Sequence, residues 1–296
     1  MNVALCTDKK YAFACGVCVT SILENNKGEE CNIYIITEGL DEESIKLFGV
    51  LTQKYNQSIY IIRIEEERLK TLKASDRFPR SIYLRYLLPE LIKEEKVLYL
   101  DCDIIVTQNI KELYDTDISA FACGVIEDQN SDDIRLQNNL CLYKPYFNSG
   151  VLLMNLDWWR KKKTTDELIA FIYNNPDKCT FPDQDALNYI LNDQILFLDF
   201  TYNYQDTFFN RPEDIFLHKS KISQLNKTQT NPPAIIHFTN PLKPWHKNCK
   251  HQLRNYFIYY KDISPWKDVK LKHYYPMHRR IANILIFIKD LIISKR

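Results

Sequence analysis

The sequence predicts an α/β fold in which helices flank a mostly parallel β-sheet. Short runs rich in Ile, Val, Leu and Tyr alternate three times with helical patterns before residue 97. Residues 97–100 are then uniformly apolar, which is typical of a strand buried on both faces in the middle of a parallel sheet. Because neighbouring parallel strands need long crossover connections, the alternation predicts that the helices form those crossovers.

The individual elements are predicted from apolar spacing and from capping residues. Strands are expected at residues 2–7, 32–37, 58–64, 97–100, 195–200 and 234–238, and within 147–155 after a small-residue turn. Helices are expected at residues 12–24, 41–55, 81–91 and 164–174, and from residue 182 onwards. Asp41 is the expected N-cap of the second helix. Residues 70–80 and 126–144 are polar and predict loops, of which the second is expected to form a wall or lid of a site.

The composition argues against several classes of protein. With 296 residues, 45% of them hydrophobic and 26% charged, the chain is globular, and its net charge of +1 argues against nucleic-acid binding. We expect no membrane span, because no run of 18 apolar residues occurs, and no signal peptide, because residues 1–7 already predict a strand. Nine cysteines without a signal peptide suggest reduced thiols in a cytosol, and Cys15 and Cys18 are expected to be packing residues.

Two carboxylates follow the apolar run at 97–100, where strands of open α/β sheets present ligand sites. Asp101 and Asp103 are two residues apart, so in extended chain both side chains leave the same side while Cys102 points into the core. Hard oxygen ligands of this kind suit Mg²⁺ or Mn²⁺, which also bind the phosphates of a substrate. The pair therefore predicts a metal–diphosphate site, and the alternative is two solvated carboxylates at a strand end.

Earlier in the chain, three further residues are candidates for substrate binding. Asp8, in the turn after the first strand, could accept a hydrogen bond from a base or ribose, and Tyr11 could stack on a ring. The alternatives are a helix cap at Asp8 and a core aromatic at Tyr11. Arg85 could reach a phosphate or a carboxylate, or it could form a structural salt bridge.

Further candidates for substrate binding lie at two turns later in the chain. Gly150 is one of only six glycines, so it indicates a backbone constraint or a close approach to ligand, and Asn148 beside it offers a donor and an acceptor. At the start of the helix from residue 182, Asp183 could contact sugar hydroxyls and Gln184 could lie near a reacting carbon. The alternative is that Asp183 and Asp185 are helix caps.

His237 lies near the end of the last predicted strand. A proline-containing loop that carries Lys243 follows this strand. This order is typical of a metal ligand followed by a cation that reaches phosphate, although a lone His at a strand end more often serves the structure.

The C-terminal residues 266–296 have a different composition. Eight Lys or Arg face two Asp, a net charge of +6, with Tyr, Phe, Ile and Leu interleaved. This predicts an amphipathic helix on an anionic membrane surface, and the alternative is a helix packed on the core or on a second subunit.

Together these motifs resemble glycosyltransferase family 8, the retaining transferases that include glycogenin and bacterial lipooligosaccharide galactosyl- and glucosyltransferases. The resemblance runs from the first strand to about His246, and the bacterial branch is the most similar. The motifs that carry it are the turn at residues 8–11, L-Y-L-D-C-D, F-N-S-G-V-L-L-M-N, P-D-Q-D-A-L-N and H-F-T-N-P-L-K-P-W-H.

The resemblance implies a GT-A fold, a Rossmann-like sheet, in a domain of residues 1–250, with 251–296 as a basic and aromatic extension. It implies a UDP-sugar donor, galactose or glucose as the sugar, and a glycan acceptor on lipooligosaccharide, capsule or glycoprotein. It also assigns residues: Mn²⁺ (or Mg²⁺) on Asp101, Asp103 and His237; uridine on Asp8 and Tyr11; diphosphate on Lys243; the donor sugar among Arg85, Asn148, Asp183 and Gln184; and further donor contacts from Asp101, Cys102 and Asn240.

Two positions depart from the family pattern. Lys10 stands where the galactosyltransferases often carry Asn, and Asn240 replaces a Gly whose backbone approaches phosphate. Asn adopts left-handed backbone geometry less readily than Gly, so the departure bears on how the phosphate is held.

For the reaction we expect front-side delivery of the acceptor with Asp183 orienting the sugar, because the Gln184 amide oxygen is a weak nucleophile. A haloacid-dehalogenase-like sugar phosphatase is the first alternative, although Ile105 occupies the fifth position of its D-x-D-x-[TV] motif. The second alternative is a non-catalytic UDP-sugar-binding protein. We expect a cytoplasmic protein, peripheral on the inner face of the membrane.

Overall fold

The computed structural model describes residues 1–65, 67–72, 74–75, 78–133, 139–206, 208 and 232–274. Its strands are β1 (Asn2–Cys6), β2 (Asn32–Thr37), β3 (Ser58–Arg63), β4 (Lys96–Leu100), β5 (Ile104–Val106), β6 (Cys123–Glu127), β7 (Phe147–Asn155), β8 (Ile195–Phe197), β9 (Tyr204–Gln205) and β10 (Ile235–His237). Its α-helices are α1 (Ala12–Asn25), α2 (Glu42–Tyr55), α3 (Glu67–Lys70), α4 (Leu88–Leu91), α5 (Lys111–Asp115), α6 (Leu156–Lys162), α7 (Thr164–Asn174), α8 (Pro182–Leu191) and α9 (Arg254–Ile263). Segments Arg80–Leu87, Pro176–Lys178 and Phe200–Tyr202 are 3₁₀ helices.

The main sheet has seven strands in the order β3-β2-β1-β4-β7-β6-β8. Strands β3, β2, β1 and β4 are parallel to one another, as is β8 to β6, so the predicted mostly parallel sheet with flanking helices is confirmed. Strand β7 is the exception, because it pairs antiparallel with both β4 and β6. The reversed strand places the middle of β7 beside the carboxyl end of β4, with Leu100 opposite Val151.

A second sheet of three strands, in the order β5-β10-β9, completes the site end of the molecule. Strand β10 runs antiparallel to β5, and its register sets His237 opposite Ile104. The amide of Phe238 donates to the carbonyl of Asp103 at 3.0 Å. This pairing brings the histidine next to carboxylates that lie more than 130 residues earlier in the chain.

Most predicted bounds agree with the structure, and three differ. Asp41 caps α2 as predicted, accepting a hydrogen bond from the amide of Ser44 at 2.9 Å. The helix predicted at 81–91 is instead a 3₁₀ helix followed by α4, because Pro89 lacks an amide donor and begins a new turn. The turn expected at the start of 147–155 is part of β7, and the strand expected at 195–200 ends at Phe197.

Two apolar clusters cover the two faces of the sheet. The alternation along β1 divides them, with Val3 and Leu5 in one cluster and Ala4 in the other. Cys15 and Cys18 are fully buried in the first cluster, as expected for packing residues, and all nine cysteines are free thiols.

The described part of the C-terminal extension packs on the body of the molecule. Phe257 and Tyr260 of α9 share a cluster with Val17 of α1, and Trp266 lies in the first core cluster. A Cβ atom at Gly16 would lie 2.2 Å from the Trp266 ring, so this residue must be glycine for the indole to fit.

The boundary at residue 250 stays a prediction. The membrane-binding helix predicted within 266–296 depends mainly on residues 275–296, which lie outside the described residues. Among the residues that the structure does describe, no helix has the length and apolar character needed to cross a bilayer.

Candidate active site

Asp101, Asp103 and His237 converge at the carboxyl end of β4. The Nε2 atom of His237 lies 3.2 Å from Oδ1 of Asp103 and 3.9 Å from Oδ2 of Asp101. One ligand atom from each residue lies within 4.8 Å of the others. The predicted convergence is therefore present, although the two aspartates are joined by a turn rather than by extended chain. Cys102 points away as predicted, and its thiol donates to the carbonyl of Cys6 at 3.2 Å.

The hydrogen bonds around His237 show that this cluster suits a metal ion. Its Nδ1 lies 2.9 Å from Oδ1 of Asn203, whose amide nitrogen is committed to Oδ1 of Asn148, also at 2.9 Å. An amide oxygen accepts, so Nδ1 carries a proton and Nε2 faces the two carboxylates. Once Nε2 is deprotonated, its lone pair and two carboxylate oxygens form a donor set suited to a divalent ion such as Mn²⁺.

Gly150 is the point at which β7 passes closest to these ligands. A Cβ atom there would lie 2.2 Å from Cε1 of His237 and 2.9 Å from Oδ2 of Asp101. Its φ angle is not positive, so the constraint comes from lack of space rather than from backbone geometry. The expected close approach is therefore to the side chains that could hold the ion.

Arg85 is buried and binds carboxylates, as one of its sequence interpretations allowed. Its guanidinium lies 3.0 Å from Oδ1 of Asp101 and 3.3 Å from Oδ2 of Asp183. It also donates to the carbonyls of Ile82 and Ser149, so its groups are already engaged within the protein. These bonds hold the aspartates of β4 and α8 together across the cleft.

The two aspartates at the start of α8 have different environments. Asp183 is not the helix N-cap, because that position is Phe181 and the carboxylate of Asp183 faces Arg85 instead. Asp185 does serve the helix start, accepting from the amide of Phe181 at 2.8 Å and from the hydroxyl of Tyr146. Burial raises the pKa of both carboxyls, and that of Asp185 reaches about 6.

Amide side chains line the same side of the cleft. Oε1 of Gln184 accepts from the amide of Ser149 at 2.9 Å, and its Nε2 donates to Oδ2 of Asp128 at 3.2 Å. Asn148 donates to the same Asp128 oxygen at 3.0 Å. Gln184 and Asn148 are thus fixed against one buried carboxylate.

Lys243 lies on the opposite side of Asp103 from the amide network. Its ammonium is 2.7 Å from Oδ2 of Asp103 and donates to the carbonyl of Phe238 at 2.6 Å. Burial alone would raise the pKa of Asp103, but Lys243 and His237 lower it well below its usual value. Lys243 therefore lies beside the possible ion site, and its predicted contact with a diphosphate stays a prediction.

The loop that carries Lys243 is anchored at Asn240. The amide of Asn240 donates to Oδ2 of Asp206 at 2.8 Å, and Asp206 is also paired with His251 at 2.9 Å. The φ angle of Asn240 is not positive, so the substitution of Gly by Asn meets no left-handed backbone requirement. Its amide is engaged by Asp206, and a contact of Asn240 with substrate stays a prediction.

The turn at residues 8–11 lies beside the same loop. Oδ1 of Asp8 accepts from the amides of Lys10 and Tyr11 at 2.8 and 2.9 Å, so the carboxylate shapes the entrance to α1. Tyr11 is 38% exposed and packs edge-to-face on Trp245 with centroids 5.7 Å apart, so it is not a core aromatic. Its exposed ring is open to stacking by a flat ligand.

The family model "Glycosyl transferase family 8" matches residues 2–249 of this chain. The chain belongs to glycosyltransferase family 8. A curated relative, general stress protein A of Bacillus subtilis, is 31% identical over 91% of this chain and 96% of its own length. Another, lipopolysaccharide glucosyltransferase WaaO of Escherichia coli, is 32% identical over 92% of this chain and 80% of its own length.

A solved structure shows the same fold. The galactosyltransferase LgtC, crystallised with donor and acceptor sugar analogues, superposes with a TM-score of 0.81 at 22% identity. The match covers 95% of this chain and 99% of LgtC. This confirms the GT-A type of fold that the family 8 resemblance implied, and family membership excludes the phosphatase alternative.

Sequence reasoning missed four polar residues of this family 8 cleft, namely Asp128, Asn203, Asp206 and His251. Asp128 had a usable signal, because it is an acid directly after β6 as Asp101 is after β4. No signal in the sequence marks Asn203, since its role depends on a hydrogen bond to His237, 34 residues later in the chain.

Proposed function

We propose that this family 8 chain is a retaining, metal-dependent glycosyltransferase that moves a hexose from a UDP-sugar to a glycan acceptor. The observation that carries the proposal is the convergence of Asp101, Asp103 and His237, with Nε2 of the histidine directed at both carboxylates. Lys243 beside them supplies a fixed positive charge within reach of a bound diphosphate.

In this proposal the two aspartates and the histidine hold Mn²⁺ (or Mg²⁺), which supplies charge neutralisation to the departing diphosphate. Lys243 adds a hydrogen-bond donor and positive charge to the same phosphate groups. Asp8 and Tyr11 are proposed to hold uridine, the first by hydrogen bonds and the second by stacking. Cys102 and Asn240 are proposed further donor contacts. The Cys102 thiol and the Asn240 backbone amide are bonded within the protein, so we propose contacts from the backbone of Cys102 and the side chain of Asn240.

The donor sugar is proposed to lie among Arg85, Asn148, Asp183 and Gln184. The Gln184 oxygen accepts a backbone hydrogen bond and is a weak nucleophile, so a covalent glycosyl intermediate on this amide is disfavoured. Retention then requires the acceptor hydroxyl to attack from the face that the diphosphate leaves. Asp183, oriented by Arg85, is placed to accept a hydrogen bond from a sugar hydroxyl.

UDP-glucose is the first donor to test, with UDP-galactose second. The similarity to WaaO, a lipopolysaccharide glucosyltransferase, supports a glucosyl donor and a lipopolysaccharide-type acceptor. We further propose a cytoplasmic location with peripheral attachment to the membrane through the basic residues of 266–296. Co-sedimentation of the full chain with anionic but not neutral vesicles tests that attachment.

The test of the activity is turnover of UDP-hexoses with Mn²⁺. Wild-type protein is expected to release UDP slowly from one UDP-hexose, and a chelator is expected to abolish the release. Asp103→Ala is expected to lower the rate by about 10²–10³-fold or more, because it removes charge stabilisation of the leaving group. Asp193→Ala, an exposed aspartate at the far end of α8, is the matched control and is expected to retain wild-type turnover.

Wild-type turnover in Asp103→Ala, with the control also unaffected, would refute the metal assignment. The non-catalytic alternative predicts a different result, in which the wild type binds UDP-sugar but shows no turnover with any of a broad panel of glycan acceptors.

A further inference from the structure

The two oxygens of Asp103 face different partners. Oδ1 lies 3.2 Å from Nε2 of His237, whereas Oδ2 lies 2.7 Å from the ammonium of Lys243. The Lys243 side chain is only 11% exposed and that of Asp103 15% exposed, so water screens this charge poorly. An ion held by Asp103 would therefore lie close to a fixed positive charge.

Hydrogen bonds within the protein hold Lys243 in this position. Its ammonium donates to the carbonyl of Phe238 as well as to Asp103, and its backbone amide donates to Nδ1 of His246 at 2.9 Å. Two of the three ammonium donors are thus used within the protein, which leaves one for a phosphate oxygen.

The charges around Asp103 show how Lys243 affects the affinity of the site for an ion. The two carboxylates that would hold the ion, Asp101 and Asp103, are each already paired with a cation, Arg85 and Lys243. A divalent ion that binds alone adds its positive charge beside the Lys243 ammonium, which is costly in a poorly screened site. The diphosphate of a UDP-sugar offsets the positive charges of both, because each of its phosphates carries a negative charge.

We propose that Lys243 weakens the binding of the divalent ion on its own and so couples ion binding to diphosphate binding. The inference rests on the proposed function, because it uses the same ion and the same nucleotide. By linkage, the ion strengthens diphosphate binding by the same factor. A lysine that only contacted phosphate would leave the affinity of the ion alone unchanged.

The experiment measures Mn²⁺ binding to the full chain from the signal of free Mn²⁺ in electron paramagnetic resonance, with and without saturating UDP. Lys243→Met removes the charge. Lys243→Gln also removes it but keeps donors for Asp103 and Phe238, and it serves should the methionine variant not fold. Lys247→Met is the matched control, because Lys247 is exposed and lies in the same loop.

In both uncharged Lys243 variants, Mn²⁺ alone is expected to bind at least tenfold more tightly than in the wild type. The ratio of the Mn²⁺ dissociation constants without and with UDP is expected to fall at least tenfold. Lys247→Met and Lys243→Arg are expected to keep the wild-type ratio. Adding Asp103→Ala to either uncharged variant is expected to abolish the tight binding, which assigns it to this site.

An unchanged or weaker affinity for Mn²⁺ alone in the uncharged variants overturns the inference, as does the same gain in Lys247→Met. These outcomes leave the proposed function intact if the wild type turns over a UDP-hexose with Mn²⁺. A wild type that neither binds Mn²⁺ in the presence of UDP nor turns over any UDP-hexose refutes the proposed function, and the inference with it.

Discussion

The two sides of the cleft shift the pKa values of their carboxyl groups in opposite directions. On the side of the ion site, Lys243 and His237 hold the pKa of Asp103 well below its usual value despite its burial. On the side of α8, burial raises the pKa values of Asp183 and Asp185. On the first side, nearby positive charge outweighs burial and keeps a carboxylate ionised for a cation, whereas on the second side burial outweighs the positive charge that is present.

The two sides also differ in how readily their residues can be recognised from the sequence. The charged side consists of short motifs, an Asp-x-Asp pair and a His followed by Lys, whose chemistry is specific at fixed spacing. On the amide side, Asn148, Asp183 and Gln184 also lie in recognisable motifs, but Asp128 and Asn203 acquire their roles only through bonds to residues far away in the chain. The following substitutions test the comparison, beginning with the largest expected effect.

Gly150→Ala tests whether the ion side has any spare room. The added methyl group would meet the imidazole of His237 at 2.2 Å, so it must displace a ligand. We expect UDP-hexose turnover to fall by about 10²–10³-fold, the effect of losing one stabilising contact with the leaving group. Gly49→Ala, an exposed helical glycine whose Cβ would meet nothing within 4 Å, is the control and is expected to be neutral or slightly stabilising. Full turnover in Gly150→Ala would contradict the described geometry.

Asn203→Ala tests the link between the two sides, because this residue joins His237 to Asn148. Without its amide oxygen, Nδ1 of the histidine loses the acceptor that fixes the tautomer. We expect Mn²⁺ affinity, measured in the presence of UDP, to fall by roughly 10–100-fold. Asn174→Ala at the end of α7 is the exposed control and is expected to bind normally. Unchanged affinity in Asn203→Ala would show that the tautomer is set by other groups.

Asp185→Asn tests the amide side through stability. Burial raises the pKa of Asp185 from an ordinary value of 3.8 to about 6. The folded protein therefore holds this proton more tightly than the unfolded chain does. The contribution of Asp185 is fully favourable below about pH 3.8 and is lost as pH rises through 6. The free energy of unfolding of the wild type, relative to Asp185→Asn, is expected to fall by about 1–3 kcal/mol from pH 4 to pH 7.

Urea unfolding at both pH values measures this difference, and subtracting the variant removes the contributions of other groups. Exposed Asp193→Asn is the control and is expected to show no such pH dependence relative to wild type. A difference between wild type and Asp185→Asn that is constant from pH 4 to pH 7 would contradict the raised pKa.

Much of the fold follows from the sequence, because apolar alternation and capping residues act locally. The bounds of β2 and the cap at Asp41 were predictable for that reason. The reversal of β7 and its pairing with β4 were not, since an apolar strand has the same pattern in either direction. Likewise, the role of Gly150 could be predicted as a close approach, but its partners depend on the register of β10 in a second sheet.

The central claim is that Asp101, Asp103 and His237 hold one divalent ion that contacts the diphosphate of a nucleotide. The most direct measurement is a crystal structure of the chain grown with Mn²⁺ and UDP, with anomalous scattering collected to locate manganese. We expect a single strong peak within about 2.0–2.3 Å of an oxygen of each aspartate and of Nε2 of the histidine. A peak elsewhere, or three side chains that point apart with UDP bound, would contradict it.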